Sequence, residues 1–299
     1  MSTKRLDGRT AAITGGARGI GRSIAAALAG RGMTVVIGDV DLETARATAA
    51  ELGERVHARP LDVTDEVSFA AFLDEADGVA GGLEVLVNNA GIMPVGAFLE
   101  EDPASTRRQV EINVFGVVTG CRLAVPRFKQ RGSGQVVNVS SVAGLSGYPG
   151  MASYSGTKHF VRGFSEALRS ELLGTGVSLS VVMPGFVGTE LTAGIGDARF
   201  FKKISPDDVA AGVVRAIERP RFEVYVPRNL RGMSVAMGLL PRRVQDAALR
   251  FTRADRLALD YDPVQRRAYE ERAARSAPAA STDHDAATVE EEQATHAAS

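Results

Sequence analysis

The chain has 299 residues, 44% of them hydrophobic and 24% charged, with a formal net charge of −1. This length can bury a large core in one or two domains. The near-zero net charge gives no overall basic field, so we expect no nucleic-acid partner.

A single cysteine, Cys121, excludes an intramolecular disulfide and is expected in a helix core. No Cys or His set has zinc-ligand spacing, so no metal site is expected. Because neither a signal peptide nor a spanning run is visible, we expect a cytoplasmic protein.

A glycine-rich turn follows the first predicted strand, which covers residues 10–14. The turn reads TGGARGIG over residues 14–21 and runs into a predicted helix. Strand, glycine turn and helix are the context in which such a motif binds a dinucleotide. Gly15, Gly19 and Gly21 permit a tight turn and the close approach of a pyrophosphate at the helix N-terminus. The alternative at this point is an ordinary glycine turn.

Asp39, at the end of the second predicted strand, is the expected selector between NAD and NADP. It lies twenty residues after Gly19, an interval that places a carboxylate on the adenosine ribose hydroxyls. Arg18 favours the opposite choice, since an arginine there could bind a 2′-phosphate. Residues 40–42 carry no cation that would compensate Asp39, so we expect NAD rather than NADP. A simple helix cap is the alternative role for Asp39.

The later predicted strands also end in polar or glycine-containing turns. The third ends at Asp62 and Val63, the fourth is followed by NNAG at 88–91, and the sixth by PGFVGT at 184–189. Thr189 is placed to hold a nicotinamide carboxamide. This regular alternation with helices predicts an α/β fold: a doubly wound parallel sheet with helices on both faces and a ligand at the carboxyl ends of the strands.

One long helix is expected over residues 102–131, with Asn113 in its middle. Asparagine is a poor helix former, so a local kink is expected there. The side chain could relay a water to Lys158, and a solvated or core-bonded asparagine is an equal alternative.

Tyr154 and Lys158 are four residues apart on a predicted helix, and Ser141 follows the fifth predicted strand. Four residues place the phenol and the ammonium on one helix face. A free tyrosine has a pKa near ~10, and a cation ~5 Å away would lower the pKa by about two units. The phenol could then exchange a proton with an alcohol or ketone near neutral pH, while Ser141 holds the substrate oxygen. The alternative is a half-buried tyrosine covered by a lysine stem.

These motifs, in this order and spacing, resemble the short-chain dehydrogenase/reductase family over residues 6–227. The resemblance implies a Rossmann-type seven-stranded sheet and a catalytic tetrad of Asn113, Ser141, Tyr154 and Lys158, with Ser141 preferred to Ser140 by its interval to the tyrosine. It also implies residues that contact a nicotinamide cofactor, namely Gly15, Arg18, Gly19, Ile20, Gly21, Asp39, Asp62, Val63, Asn89, Ala90, Gly91, Tyr154, Lys158, Pro184, Gly185, Val187 and Thr189. A homodimer or homotetramer, paired through the fourth and fifth long helices, is implied as well.

The expected activity is hydride transfer between a secondary alcohol or ketone and NAD(H). Apolar residues flank the predicted site, so a lipophilic substrate is favoured; they are Met93, Val95, Leu145, Tyr148, Met151, Phe200 and Phe201. A mobile lid is expected over residues 190–205. The alternatives are an NADPH-dependent ketone or aldehyde reductase and, from another class, a non-catalytic NAD(H) sensor or membrane-recruited binding protein.

Beyond the catalytic domain, predicted over residues 1–227, a helical extension is expected at 228–275 as part of the same unit. Residues 228–256 hold seven arginines and two acids among apolar residues. They are expected either to lie on an anionic membrane as a peripheral contact or to pack on the protein itself or a second subunit. Residues 262–275 predict one more charged helix, and the acidic residues 276–299 a disordered tail.

Overall fold

The computed structural model describes residues 5–79, 81–196 and 203–276. In this part of the chain, seven parallel strands form one sheet in the order β3-β2-β1-β4-β5-β6-β7. The strands are β1 Thr10–Thr14, β2 Thr34–Asp39, β3 Val56–Pro60, β4 Leu83–Asn88, β5 Gly134–Val139, β6 Val177–Pro184 and β7 Glu223–Val226. The chain reverses its direction across the sheet between β1 and β4, and a crevice for ligand is expected at that point.

Helices cover both faces of the sheet. They are α1 Gly19–Ala29, α2 Leu42–Leu52, α3 Glu66–Gly78, α4 Pro103–Val110, α5 Gly116–Arg131, α6 Ala152–Glu171, α7 Pro206–Glu218, α8 Leu230–Gly238, α9 Arg242–Thr252 and α10 Pro263–Arg275. Successive strand residues point to opposite faces. Within β1, Ala12 therefore joins the core under α3 and α5, whereas Ala11 and Ile13 join the core under α1, α2 and α7. The predicted doubly wound fold is confirmed.

The register brings the ends of the strands to one edge. Thr14 pairs with Gly38 and Asn88 with Asn138, so the turns after β1, β2, β4 and β5 open on the same side of the sheet. The predicted functional turns are thus brought together by backbone pairing.

The predicted helix 102–131 is interrupted by a π-helical turn, Glu111–Phe115, between α4 and α5. Asn113 lies in this turn, so the expected irregularity at Asn113 is confirmed. The backbone stays helical from α4 through the π turn into α5. A π turn adds one residue to the helix and is often found at functional sites.

One predicted boundary was wrong, and one of the alternatives is excluded. The third strand ends at Pro60 and not at Asp62 and Val63, because its neighbour β2 ends at Asp39, which pairs with Pro60. The cap of α2 is Asp41, whose carboxylate accepts from the Thr44 amide, so Asp39 is not a helix cap.

The chain after residue 227 forms α8, α9 and α10, which confirms the helical extension. No helix in the described ranges is long and apolar enough to cross a membrane. Of the predicted lid at 190–205, residues 190–192 form a short 3-10 helix and Ile204 bridges to Val187. Residues 197–202, including Phe200 and Phe201, lie outside the described residues, as does the predicted acidic tail after Ser276.

Candidate active site

The glycine turn after β1 is held by the turn after β4. Gly15 has φ +65°, and a Cβ there would lie 2.9 Å from the Ala90 Cα. A Cβ on Gly21 would collide with the Gly15 carbonyl oxygen. The Asn89 side-chain amide donates to the carbonyl oxygens of Thr14 and Gly15, both at 3.0 Å. Asn89 therefore braces the turn, and only small residues fit this close approach of the two loops.

The first helix begins directly at this turn. Its cap residue, Arg18, makes no side-chain cap, and the first turn holds no acidic side chain. The amides at a helix N-terminus have no partner within the helix, so they are free to bind an anionic group.

Asp39 is fixed beside the same turn. Its two carboxylate oxygens accept from the amides of Ala17 and Asp41, each at 3.1 Å. Burial raises the pKa of this carboxyl, and the two amides oppose the shift. The carboxylate faces the cavity described below, where ribose hydroxyls could donate to its remaining lone pairs.

Arg18 is engaged by a second carboxylate. Its guanidinium lies 2.7 Å from the Asp41 carboxylate and 2.6 Å from the Thr44 hydroxyl. Hydrogen bonds to the Asp41 carboxylate hold its pKa below the usual value. The bond from the Thr44 amide has the largest effect, and the bond from Arg18 has the next largest. From the sequence, Asp41 was noted only because residues 40–42 lack a cation. In the structure its carboxylate forms an ion pair with Arg18.

Tyr154, Lys158 and Ser141 come together where α6 meets the end of β5. The Lys158 Nζ lies 5.6 Å from the centre of the Tyr154 ring and donates to the Val139 carbonyl oxygen at 3.1 Å. The Ser141 hydroxyl accepts from the Ala143 amide at 3.1 Å, which fixes its position. The neighbouring Ser140 is buried and donates to the Lys158 carbonyl oxygen at 2.9 Å.

Burial dominates the protonation of Tyr154 and Lys158. It raises the pKa of Tyr154 to about 12, and the Ser141 hydroxyl opposes the shift. It also lowers the pKa of Lys158 to about 8, because the charged ammonium loses hydration. The phenol pKa is therefore raised in this structure, opposite to the lowering expected from Lys158.

Asn113 is buried in the π turn with its side chain committed to the Gly91 loop. Its Oδ1 accepts from the Ile92 amide at 2.9 Å, and its Nδ2 donates to the Ile92 carbonyl oxygen at 2.9 Å. A Cβ on Gly91 would lie 3.1 Å from the Asn113 Oδ1 and 3.5 Å from the Lys158 Nζ. The two polar atoms therefore face a common space beside Gly91.

One cavity of about 570 Å³ joins these groups. It is lined by most of the predicted cofactor residues together with Ser141, and these are Gly15, Arg18, Gly19, Ile20, Gly21, Asp39, Val63, Asn89, Ala90, Gly91, Tyr154, Lys158, Pro184, Gly185, Val187 and Thr189. Two of the predicted catalytic and cofactor residues do not line it. Asn113 lies behind Gly91, and the Asp62 carboxylate accepts from the amide and hydroxyl of Thr64, at 2.9 and 2.7 Å.

The part of the cavity beside Tyr154 is largely apolar. The predicted residues Met93, Tyr148 and Met151 line it, and Phe186 and Leu191 are added by the loop after β6. Tyr148 and Phe186 meet edge to face with ring centres 6.0 Å apart. The predicted pocket residues Val95 and Leu145 instead pack behind this wall.

Helix α10 forms a further wall, which sequence reasoning described only as a charged helix. Tyr269, Arg272, Ala273, Arg275 and Ser276 reach the cavity. The Tyr269 hydroxyl accepts from the Met93 amide at 2.7 Å, and burial raises the pKa of Tyr269. The exposed Arg272 pairs with Glu190 at 2.6 Å.

Arg266 is the anchor of α10. The side chain is fully buried and donates to the carbonyl oxygens of Met93, Leu191 and Ala193. Its guanidinium also lies 2.5 Å from the Glu270 carboxylate. One side chain thus ties α10 to the loop after β4 and the loop after β6. The sequence contained one signal for this role of α10. Arg266, Tyr269 and Ala273 are spaced so that they share one face of an otherwise charged helix.

Comparison with known proteins agrees with the site. A family model described as short chain dehydrogenase matches residues 9–199. The chain belongs to the short-chain dehydrogenase family. The matched residues include the glycine turn, Asp39, the NNAG turn and the serine, tyrosine and lysine of the site.

Relatives in this family are similar over most of the chain. A 3-alpha-(or 20-beta)-hydroxysteroid dehydrogenase of Mycobacterium tuberculosis is 38% identical over 188 residues, which cover 63% of this chain and 72% of the relative. A short-chain dehydrogenase/reductase from Burkholderia phymatum, solved in complex with NAD, is 27% identical with a TM-score of 0.72, covering 83% of this chain and 96% of that one. A 3-ketoacyl-(acyl-carrier-protein) reductase from Brucella melitensis, solved with NADH, is 28% identical with a TM-score of 0.68, covering 74% and 97%.

Membership makes the protein an oxidoreductase that acts on a CH–OH group with a nicotinamide cofactor. The matched region ends at residue 199, so α8, α9 and α10 lie outside the family model. The wall that α10 adds to the cavity is therefore supplied by a part of this chain that the family model does not cover.

Proposed function

We propose that the protein is an NAD(H)-dependent dehydrogenase that moves a hydride between a lipophilic secondary alcohol or ketone and the nicotinamide. The observation that carries the proposal is the shared cavity. The Tyr154 phenol, Ser141 and Lys158 lie at one end of a single cavity, and the glycine turn with Asp39 lies at the other.

The residues present fit a nicotinamide dinucleotide. The cradle formed by Gly15 and Ala90 leaves no room for a larger side chain, and the N-terminus of α1 offers free amides for a pyrophosphate. Asp39 would hold the adenosine ribose hydroxyls. Lys158 would hold the nicotinamide ribose, and Thr189 the carboxamide. When bound, the cofactor supplies the hydride acceptor or donor.

The electrostatics of the cradle favour NAD over NADP. A 2′-phosphate would lie beside the half-buried Asp39 carboxylate, and the nearby cation, Arg18, is neutralised by Asp41. A phosphate there would lack a compensating charge and would be repelled. NADP would bind well only if Arg18 left Asp41.

The protein's own groups supply the proton chemistry. During alcohol oxidation the Tyr154 Oη would take the hydroxyl proton, and Ser141 would hold the same substrate oxygen. Because burial holds the pKa of Tyr154 at about 12, a cation brought into the cavity is needed to lower it toward neutrality. The space between Asn113 and Lys158 beside Gly91 could hold a water that returns the proton to solvent.

The apolar wall supports a lipophilic substrate. Met93, Met151, Phe186 and Leu191 offer apolar surface close to the Tyr154 phenol. A sugar would leave many of its hydroxyls unpaired against such a wall, which is costly. The name of the hydroxysteroid dehydrogenase relative points to the same substrate class.

We also propose a homodimer or homotetramer, paired through α5 and α6. Phe115, the last residue of the π turn before α5, and Phe160, on α6, are both exposed large apolar side chains. Burial of this face against a second copy would remove that apolar surface from water.

Fluorescence titration with NADH and NADPH, followed by turnover of a panel of hydrophobic secondary alcohols, tests the proposal. We expect tighter binding of NADH and reduction of NAD by members of the panel. Tighter binding of NADPH would show that Arg18 prevails over Asp39 and would favour a ketone reductase. A folded protein that binds neither dinucleotide would contradict the proposal entirely.

A further inference from the structure

We propose that the outer side of α8 and α9 docks on an anionic lipid surface. This α8–α9 surface consists of the exposed apolar residues and arginines of residues 228–256. The two helices lie outside the matched family region, and their exposed face has no role in the proposed reaction.

The α8–α9 surface exposes an unusual amount of apolar side chain. Six large apolar side chains are exposed within these 29 residues, and they are Met233, Val235, Leu239, Leu240, Val244 and Phe251. Leu239 is 82% exposed and Phe251 67%. None of the eleven residues of α9 is buried, and α8 buries only Leu230. Apolar exposure concentrated in one short segment indicates a surface that contacts a partner or a membrane.

The residues of α9 are arranged as in an interfacial helix. Val244 and Phe251 are seven residues apart, so they share one side of the helix. Arg243 and Arg250 each precede one of them and therefore lie about 100° around the axis. Leu249 is half-buried and packs against the body of the protein. An apolar stripe bordered by arginines on the outer side is the pattern that binds at a lipid headgroup boundary.

The net charge of residues 228–256 favours a lipid surface over a second copy of the chain as the partner of this surface. Residues 228–256 contain seven arginines and two acids, a net charge of +5. A second copy of this surface would bring two such charges together, whereas anionic headgroups complement them. Residues 277–299 of the chain carry five acids, but Val289 is their only large apolar residue. That segment could match the charge but could not cover the apolar stripe.

The chain after α9 links the α8–α9 surface to the site. The segment directly after α9 places Ala254, Leu257 and Ala258 in one apolar cluster with Met151 and Tyr154. Docking would therefore hold the apolar end of the cavity near the source of a lipophilic alcohol. That use rests on the proposed function, but the docking itself does not, so its test measures binding and not turnover.

The test is co-sedimentation of the full chain with vesicles of phosphatidylglycerol and phosphatidylcholine, compared with phosphatidylcholine alone. We expect binding to the anionic vesicles that weakens as salt is raised. The double variant Arg243→Glu and Arg250→Glu should partition at least about thirty-fold more weakly. The variant Val244→Ser and Phe251→Ser should lose at least about tenfold. The matched control, Arg46→Glu and Arg107→Glu, makes the same charge change at exposed positions elsewhere and should bind as the unmodified chain does.

Three outcomes would overturn the proposal. The first is no binding to anionic vesicles, or equal loss in the control variant. The second is self-association in solution that the Val244→Ser and Phe251→Ser variant abolishes, which would assign the surface to a second copy. The third is binding that appears only after Glu290, Glu291 and Glu292 are changed to Gln, which would show that the acidic segment covers the surface.

Discussion

The two ends of the cavity are built in different ways. At the dinucleotide end, backbone turns set the geometry, and a few side chains such as Asp39 and Asn89 fix it. At the substrate end, α10 closes the wall through side chains, with Arg266 reaching three carbonyl oxygens of two loops. Backbone-built sites leave recognisable glycine motifs, whereas side-chain-built walls depend on contacts between distant parts of the chain. Substitutions at the two ends of the cavity should therefore differ in their effects on cofactor and substrate.

The largest effect is expected at Tyr154, the group proposed to exchange a proton with the substrate. Tyr154→Phe removes the proton donor and acceptor while keeping the ring, so turnover should fall by about 10²- to 10⁴-fold. The Kd for NADH should stay close to that of the unmodified enzyme, because the cradle is untouched. Steady-state rates and NADH titration measure the two quantities. Turnover at the original rate would show that another group moves the proton.

Changing the anchor of α10 should affect the substrate end alone. Arg266→Met leaves three carbonyl oxygens and Glu270 without their donor, so α10 and both loops should shift. We expect kcat/KM for the alcohol to fall about 10- to 100-fold, mainly through KM, with KM for NAD unchanged. Arg266→Lys should restore part of the loss.

The matched control for Arg266 is Arg267→Met, its exposed neighbour on the same helix, which does not line the cavity. It should leave both KM values within about twofold, since an exposed substitution away from the site changes little. Equal effects on the KM of alcohol and of NAD in Arg266→Met would mean that the residue only stabilises the fold. Thermal unfolding of each variant checks that the measured population is folded.

The dinucleotide end should change its cofactor preference when Arg18 is released. Asp41→Asn keeps a good cap for α2 but removes the charge that holds Arg18. The affinity for NADPH relative to NADH should rise about tenfold, or about 1.4 kcal/mol. Adding Arg18→Ala to this variant should abolish the gain. An unchanged ratio in Asp41→Asn would show that Asp39 alone sets the preference.

The smallest effect concerns stability. The pKa of Lys158 is about 8 in the folded chain and about 10.4 when unfolded. Between these values the unfolded chain holds a proton that the folded chain has lost, so the free energy of unfolding should rise with pH from 8 to about 10. The buried ammonium costs up to about 3 kcal/mol below pH 8. Lys158→Met should therefore raise the Tm by a few degrees at pH 7, despite loss of turnover. A lower Tm at pH 7 would contradict this.

The sequence predicted the dinucleotide end in detail because glycine spacing, strand ends and the Tyr154–Lys158 pair are local patterns. The doubly wound parallel sheet and the edge where the turns meet followed from alternating strands and helices. The ion pair between Arg18 and Asp41 was missed, because the two residues are far apart in the chain and meet only where α2 begins beside the glycine turn. Arg266 and Tyr269 were missed for the same reason: their partners Met93 and Leu191 lie far away in the chain. Asp62 was assigned to the cofactor, and that assignment stays a prediction, because Asp62 does not line the cavity and one of its carboxylate oxygens accepts from Thr64.

The most direct test of the central claim is isotopic. The protein is incubated with NAD and lipophilic secondary alcohols that carry deuterium at the carbinol carbon, and the NADH formed is analysed by mass spectrometry. If hydride passes directly between substrate and nicotinamide within this cavity, the deuterium will be found in the NADH, and Tyr154→Phe will form almost none. NADH without deuterium, or no NADH from any alcohol in a protein that binds NAD, would contradict the account.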